Sequence, residues 1–103
     1  MTNPLRKLSA AELAEAGLTG WHLTGEALTA TFKTREFFTG LELVNRIGAS
    51  AEEANHHPDL TLTYPEVRVR LLSHDVGGIT SRDIDLARTI SGHAADLGVA
   101  ATE

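Results

Sequence analysis

Two stretches of this chain alternate apolar and polar side chains with period two, and each folds back through a very short turn. The first runs Trp21-His22-Leu23 and then Ala27 to Phe32, broken at Thr24-Gly25-Glu26. The second runs Thr61 to Tyr64 and then Val67 to Leu71, joined through Pro65-Glu66. Parallel neighbours need a connection of about a dozen residues or more, so each stretch reads as an antiparallel hairpin. Leu28, Ala30 and Phe32 in one, and Val67, Val69 and Leu71 in the other, would share the buried face.

Helical patterns surround the hairpins. Ser9-Ala10-Ala11-Glu12 has capping-box spacing, flanked by Leu8 and Leu13 as a hydrophobic staple, and Gly17 can end that short helix. Thr34 is a candidate cap for a second helix reaching about Ala54. Its apolar stripe is Phe37, Leu41, Val44, Gly48 and Ala51, with Phe38 and Ile47 beside it. Gly40 and Gly48 lower helix propensity by about 1 kcal/mol each, a cost that close packing on a sheet would explain. Helical geometry is disfavoured at His57, which precedes Pro58, so the helix ends before the His pair. Thr80-Ser81-Arg82-Asp83 opens the last helix with an Asp version of the capping box, and Leu86, Ile90, Ala94 and Leu97 form its stripe. The order is helix, two strands, helix, two strands, helix. The expected fold is α+β, an αββαββα chain with a four-stranded antiparallel sheet and helices packed on one face.

At 103 residues the chain, 1–103, is expected to form one domain, since a division would leave pieces too small to hold a core. The formal charge of −5 argues against a nucleic-acid partner, which requires clustered Lys and Arg. No run approaches the roughly 20 apolar residues of a membrane span, and the N-terminus lacks a signal peptide's apolar stretch. A cytoplasmic location is the resulting expectation. The absence of cysteine removes disulfides, thiolate nucleophiles and Cys-type zinc sites.

Three of the five histidines fall at element ends. His56 and His57 precede the third strand, and His74 follows the fourth. Because these strands are hairpin partners, that start and that end lie together, so His56 or His57 can meet His74 in one cleft. Imidazole suits proton transfer near neutral pH, and two imidazoles around one small substrate let one give a proton while the other takes one. Glu52, Asp75 and Asp83 are the nearby carboxylates. Other readings stand beside this one: a solvated loop at a helix end, or a zinc site built from three histidines and Asp75. Against zinc, the His-Glu-x-x-His spacing is missing, and adjacent histidines point to opposite sides of an extended chain. His22 and His93 read as surface or boundary residues, Arg68 and Arg70 as a solvated face, and Gly77-Gly78 as a turn.

Glu52-Glu53-Ala54-Asn55-His56-His57-Pro58, Tyr64, His74-Asp75-Val76-Gly77-Gly78-Ile79-Thr80 and Asp83 together resemble the signature of the pterin-4a-carbinolamine dehydratases. The likeness extends over nearly the whole chain. It implies a hydro-lyase that needs no cofactor and no metal, and that acts on a 4a-hydroxytetrahydrobiopterin-type small molecule. Water leaves, and the quinonoid dihydropterin forms for tetrahydrobiopterin recycling. The resemblance further implies His56 and His74 as the acid–base pair and His57 as a substrate holder. Glu52 and Asp83 would serve in substrate binding or in orienting imidazoles. It also implies a homo-oligomer, a dimer or a tetramer. Two positions depart from the common pattern, Leu60 where many members carry an aromatic and Asn55 where some carry an acid. The alternative is a binding or assembly protein that keeps the fold without catalysis.

Overall fold

The computed structural model describes residues 6–102. The elements follow the expected order: α1 (Ala10–Glu15), β1 (His22–Thr24), β2 (Ala27–Phe32), α2 (Phe37–Ala54), β3 (Asp59–Thr63), β4 (Glu66–Leu71) and α3 (Ser81–Asp96). The four strands form one antiparallel sheet in the order β1-β2-β4-β3. The two hairpins are therefore zipped together through β2 and β4, with Ala30 opposite Val69 and Phe32 opposite Val67. Strand ends differ from the sequence reading by one or two residues. Trp21 lies just outside β1, and the second hairpin turns at Tyr64-Pro65.

Alternation sorts the sheet into two faces. Leu28, Ala30, Phe32, Val67, Val69 and Leu71 are buried in one cluster with Leu43 and Ile47 of α2 and Ile84, Leu86, Ala87 and Ile90 of α3. Trp21 closes one end. Its ring meets Phe32 edge-on at 6.0 Å, and its indole N–H donates to Ser91 Oγ at 2.8 Å. The opposite face carries Thr29, Thr31, Arg68 and Arg70, with Arg68 paired to Glu66 and Arg70 to Asp59. Beyond three-residue β1 the edge of β2 is taken over by the C-terminal segment. Ala101 bridges Phe32, and Thr102 N–H donates to Thr31 O at 2.7 Å.

Both capping boxes form as the sequence predicts, Ser9 with Glu12 and Thr80 with Asp83. The start of α2 does not. Thr34 lies two residues before the N-cap, which is Glu36 with no side-chain cap bond. Arg35 intervenes with φ +67, and its N–H donates to Pro65 O. That left-handed residue turns the chain once more, carrying the Thr34 hydroxyl inward, where it is buried without a hydrogen-bond partner among the described residues. The buried stripe of α2 keeps the expected Ala51 but is otherwise rotated by one position, with Gly40, Leu43 and Ile47 facing the core. Phe37 and Phe38 are 47% and 81% exposed.

Gly40 explains the rotation. A Cβ there would stand 2.7 Å from Leu62 Cδ1 and 3.2 Å from Thr34 Oγ1, so only glycine lets the helix lie this close to the sheet. Gly48 has no atom within 4 Å of such a Cβ. Equal changes at the two glycines should therefore have opposite signs. In chemical denaturation, Gly40→Ala is expected to lower stability by about 1–2 kcal/mol through overpacking. Gly48→Ala should raise it by about 0.5–1 kcal/mol through helix propensity alone.

Candidate active site

The end of α2 sets the two adjacent histidines apart. Asn55 adopts the left-handed conformation at φ 51, and the His56 N–H returns to Ala51 O at 3.1 Å. This reversal drives His56 inward, to 9% exposure, and leaves His57 outside. His57 Nε2 and Glu52 Oε2 then meet in a close hydrogen bond on the surface.

Behind His56 lies Asp83, whose exposure is 0%. Its Oδ1 is 2.6 Å from His56 Nε2. Its Oδ2 accepts from Ser73 Oγ at 2.7 Å and from the Thr80 N–H at 2.9 Å. A carboxylate buried with these three donors is fully engaged, as burial of a charge demands. With Nε2 committed to Asp83, His56 has Nδ1 as its remaining ring nitrogen.

His74 arrives from the other strand end. Ser73, just before it, pairs with Gly78: its N–H donates to Gly78 O at 2.9 Å, and its carbonyl accepts from Gly77 N–H at 3.0 Å. Gly77 permits the tight return with φ +63. The loop is held from both sides. Leu8 N–H donates to Ile79 O at 2.7 Å, and Arg82 Nη2 donates to Asp75 Oδ1 at 2.7 Å. The His74 side chain is exposed and makes no hydrogen bond or ion pair among the described residues.

The expected convergence is present. Asn55, His56, His57, Ser73, His74, Asp75 and Arg82 line one depression of about 330 Å³, open to solvent. Glu52 joins it through His57, and Asp83 supports it from beneath His56. A larger concavity of about 630 Å³ lies over the polar face of the sheet. The smaller one is the candidate site, because three imidazoles line it while the arginines of the other are already paired. Among the described residues no three His, Cys, Asp or Glu side chains are grouped to hold a metal ion. His22 lies exposed on β1, and His93 joins α3 to α2 through Ser50 Oγ at 2.7 Å.

Sequence reasoning did not include Ser73 and Arg82 in this site, and it held Thr80 only as a cap and as part of the family signature. The capping box located Thr80 and Asp83 correctly but gave no sign that the same carboxylate reaches His56, 27 residues away in sequence.

Comparison with known proteins adds an independent line. Residues 6–93 match the family model described as pterin 4 alpha carbinolamine dehydratase. A protein of Thermosynechococcus vestitus is 49% identical over 74% of this chain and 80% of its own length. One of Nostoc punctiforme is 40% identical over 88% of this chain and 97% of its own. Both are named, provisionally, pterin-4-alpha-carbinolamine dehydratases. Among solved structures, a transcriptional coactivator/pterin dehydratase from Brucella melitensis superposes with a TM-score of 0.82 at 33% identity. That match covers 86% of this chain and 99% of the other.

Two outcomes follow from these contacts and charges. Asp83→Ala would strand three buried donors, so urea denaturation should register a loss of about 3 kcal/mol or more, whereas exposed His57→Ala should stay within about 0.5 kcal/mol. The second concerns Asp75, whose carboxyl is held below its ordinary value, chiefly by the Arg82 hydrogen bond and further by the positive charge of Arg82. A depressed carboxylate stabilises above its unfolded value and loses that contribution as pH falls through the folded one. Amide-exchange protection in residues 72–78 should therefore decline once the pH drops below about 4. Arg82→Gln should show the reduced protection already at neutral pH.

Proposed function

The chain belongs to the pterin-4a-carbinolamine dehydratase family, and from that footing we propose that it is a hydro-lyase acting on a 4a-hydroxytetrahydropterin. One observation carries the reading: His56, His57 and His74 line a single depression, with His56 braced by a buried carboxylate. The balance of the reaction is simple. The C4a–O bond breaks, the hydroxyl takes up a proton and departs as water, and N5 gives up a proton as the C4a=N5 bond forms. One group must donate at the hydroxyl and one must accept at N5.

We assign those tasks to His56 and His74. His56 presents Nδ1 with its orientation fixed from behind, while His74 approaches from the loop after β4 with no competing partner among the described residues. Such a pair supplies about 10²–10⁴-fold in rate when correctly placed. His57, held by Glu52 at the rim, is the proposed substrate holder. Glu52 acts through it, and Asp83 acts as the brace of His56. The depression falls within the usual size range of small-molecule sites, and its open form suits a substrate that enters and leaves freely.

The coarser features of the setting agree with this proposal. No helix among the described residues is long and apolar enough to cross a membrane. We place the enzyme in the cytoplasm as a single domain, working on a free small molecule with neither cofactor nor metal. We further propose a homo-oligomer, because Phe37 and Phe38 lie exposed side by side at the start of α2, where a second copy would cover them.

The test is direct. Purified protein is added to freshly generated 4a-carbinolamine, and formation of the quinonoid dihydropterin is followed by absorbance. Micromolar protein should accelerate the spontaneous step severalfold or more. His56→Ala and His74→Ala should each cut the catalysed rate by about 100-fold. A wild-type protein no faster than buffer would overturn the dehydratase reading.

A further inference from the structure

The hydroxyl of Ser73 is a buried polar group that the proposed reaction does not use, and its position is unusual. It stands between the two parts of the site. Its backbone closes the loop that carries His74, through the paired bonds with Gly77 and Gly78. Its side chain touches the carboxylate that holds His56. Ser73 is 1% exposed, so the junction is almost wholly enclosed by protein.

Counting protons fixes the direction of each bond. The ionised Asp83 carboxylate only accepts. The single Ser73 proton therefore goes to Asp83 Oδ2, at 2.7 Å. Thr80 Oγ1 lies 2.9 Å from Ser73 Oγ, so Thr80 must be the donor there. Thr80 Oγ1 in turn accepts from the Arg82 N–H at 3.2 Å. The result is an ordered relay from the first turn of α3 through Thr80 and Ser73 to Asp83. The Thr80 N–H, 2.9 Å from the same Oδ2, holds the oxygen from a second direction. With Oδ2 pinned twice, Oδ1 is left aimed at His56 Nε2. An acceptor at that place retains the proton on Nε2, which leaves Nδ1 as the ring nitrogen without the proton.

We propose that Ser73 is a positioning residue: its hydroxyl locks the Asp83 carboxylate and thereby fixes the tautomer and orientation of His56, while its backbone sets the loop bearing His74. One residue thus keeps the two imidazoles in register with each other. This rests on the dehydratase reading where rates are concerned. The effect on the His56 ring does not depend on it.

Ser73→Ala removes the hydroxyl and leaves the loop's backbone bonds intact. Ser73→Thr restores a hydroxyl at the same place. In imidazole proton and nitrogen NMR of the folded, substrate-free protein, wild type should show a slowly exchanging His56 Nε2–H. That resonance should broaden or vanish in Ser73→Ala and return in Ser73→Thr. With carbinolamine as substrate, Ser73→Ala should lose about tenfold in kcat with KM changed less than about twofold, since a misaligned group affects the chemical step more than binding. A folded Ser73→Ala that keeps the wild-type His56 resonance overturns the proposal, as does an equal loss in kcat and a gain in KM. If wild type proves inactive on the carbinolamine, the dehydratase reading fails by itself, and the NMR comparison still decides the role of Ser73.

Discussion

A single carboxylate, that of Asp83, links the parts of this molecule that chemistry and folding each require. It caps the first turn of α3, where the unpaired backbone N–H groups and the helix dipole favour negative charge. The same group receives His56 from the end of α2 and Ser73 from the end of β4. Three elements distant in sequence are therefore tied at one buried point. A charge in such a place is tolerable only because every donor is aimed at it, and the donors are in turn fixed by the carboxylate. The sheet supplies the setting by ending β4 beside the start of β3, so that the loop after one and the His pair before the other are neighbours.

The hairpins were legible because period-two alternation and short turns leave little freedom in how a chain can pair. The Thr80 capping box was legible for a similar reason, since its partners are three residues apart. Convergence of His56 or His57 with His74 followed from hairpin geometry without any knowledge of side chains. The family resemblance named the same histidines, and all three line one depression.

What stayed hidden depended on contacts across the fold. In α2, Phe37, Leu41 and Val44 offer one apolar stripe, Leu43 and Ile47 offer another turned to one side, and Ala51 fits either. Periodicity alone cannot choose between two stripes. The choice falls to Gly40, whose missing side chain gives room to Leu62 on β3, a strand some twenty positions further on. The Thr34 cap failed through Arg35, whose left-handed backbone has no sequence signal as strong as a glycine would give. Spacing alone showed Asp83 as a cap, and its bond to His56 was foreshadowed only by the family resemblance, which implied a carboxylate orienting an imidazole.

Exposure divides the site into parts of different evolutionary cost. His74 stands on the surface without a partner among the described residues, so a lineage that no longer needed the chemistry could exchange it with little penalty to folding. Asp83 could not be exchanged so freely, because the hinge between helix, strand and loop would come apart with it. The buried aspartate is thus accounted for by architecture alone, whereas folding asks nothing of the exposed histidine.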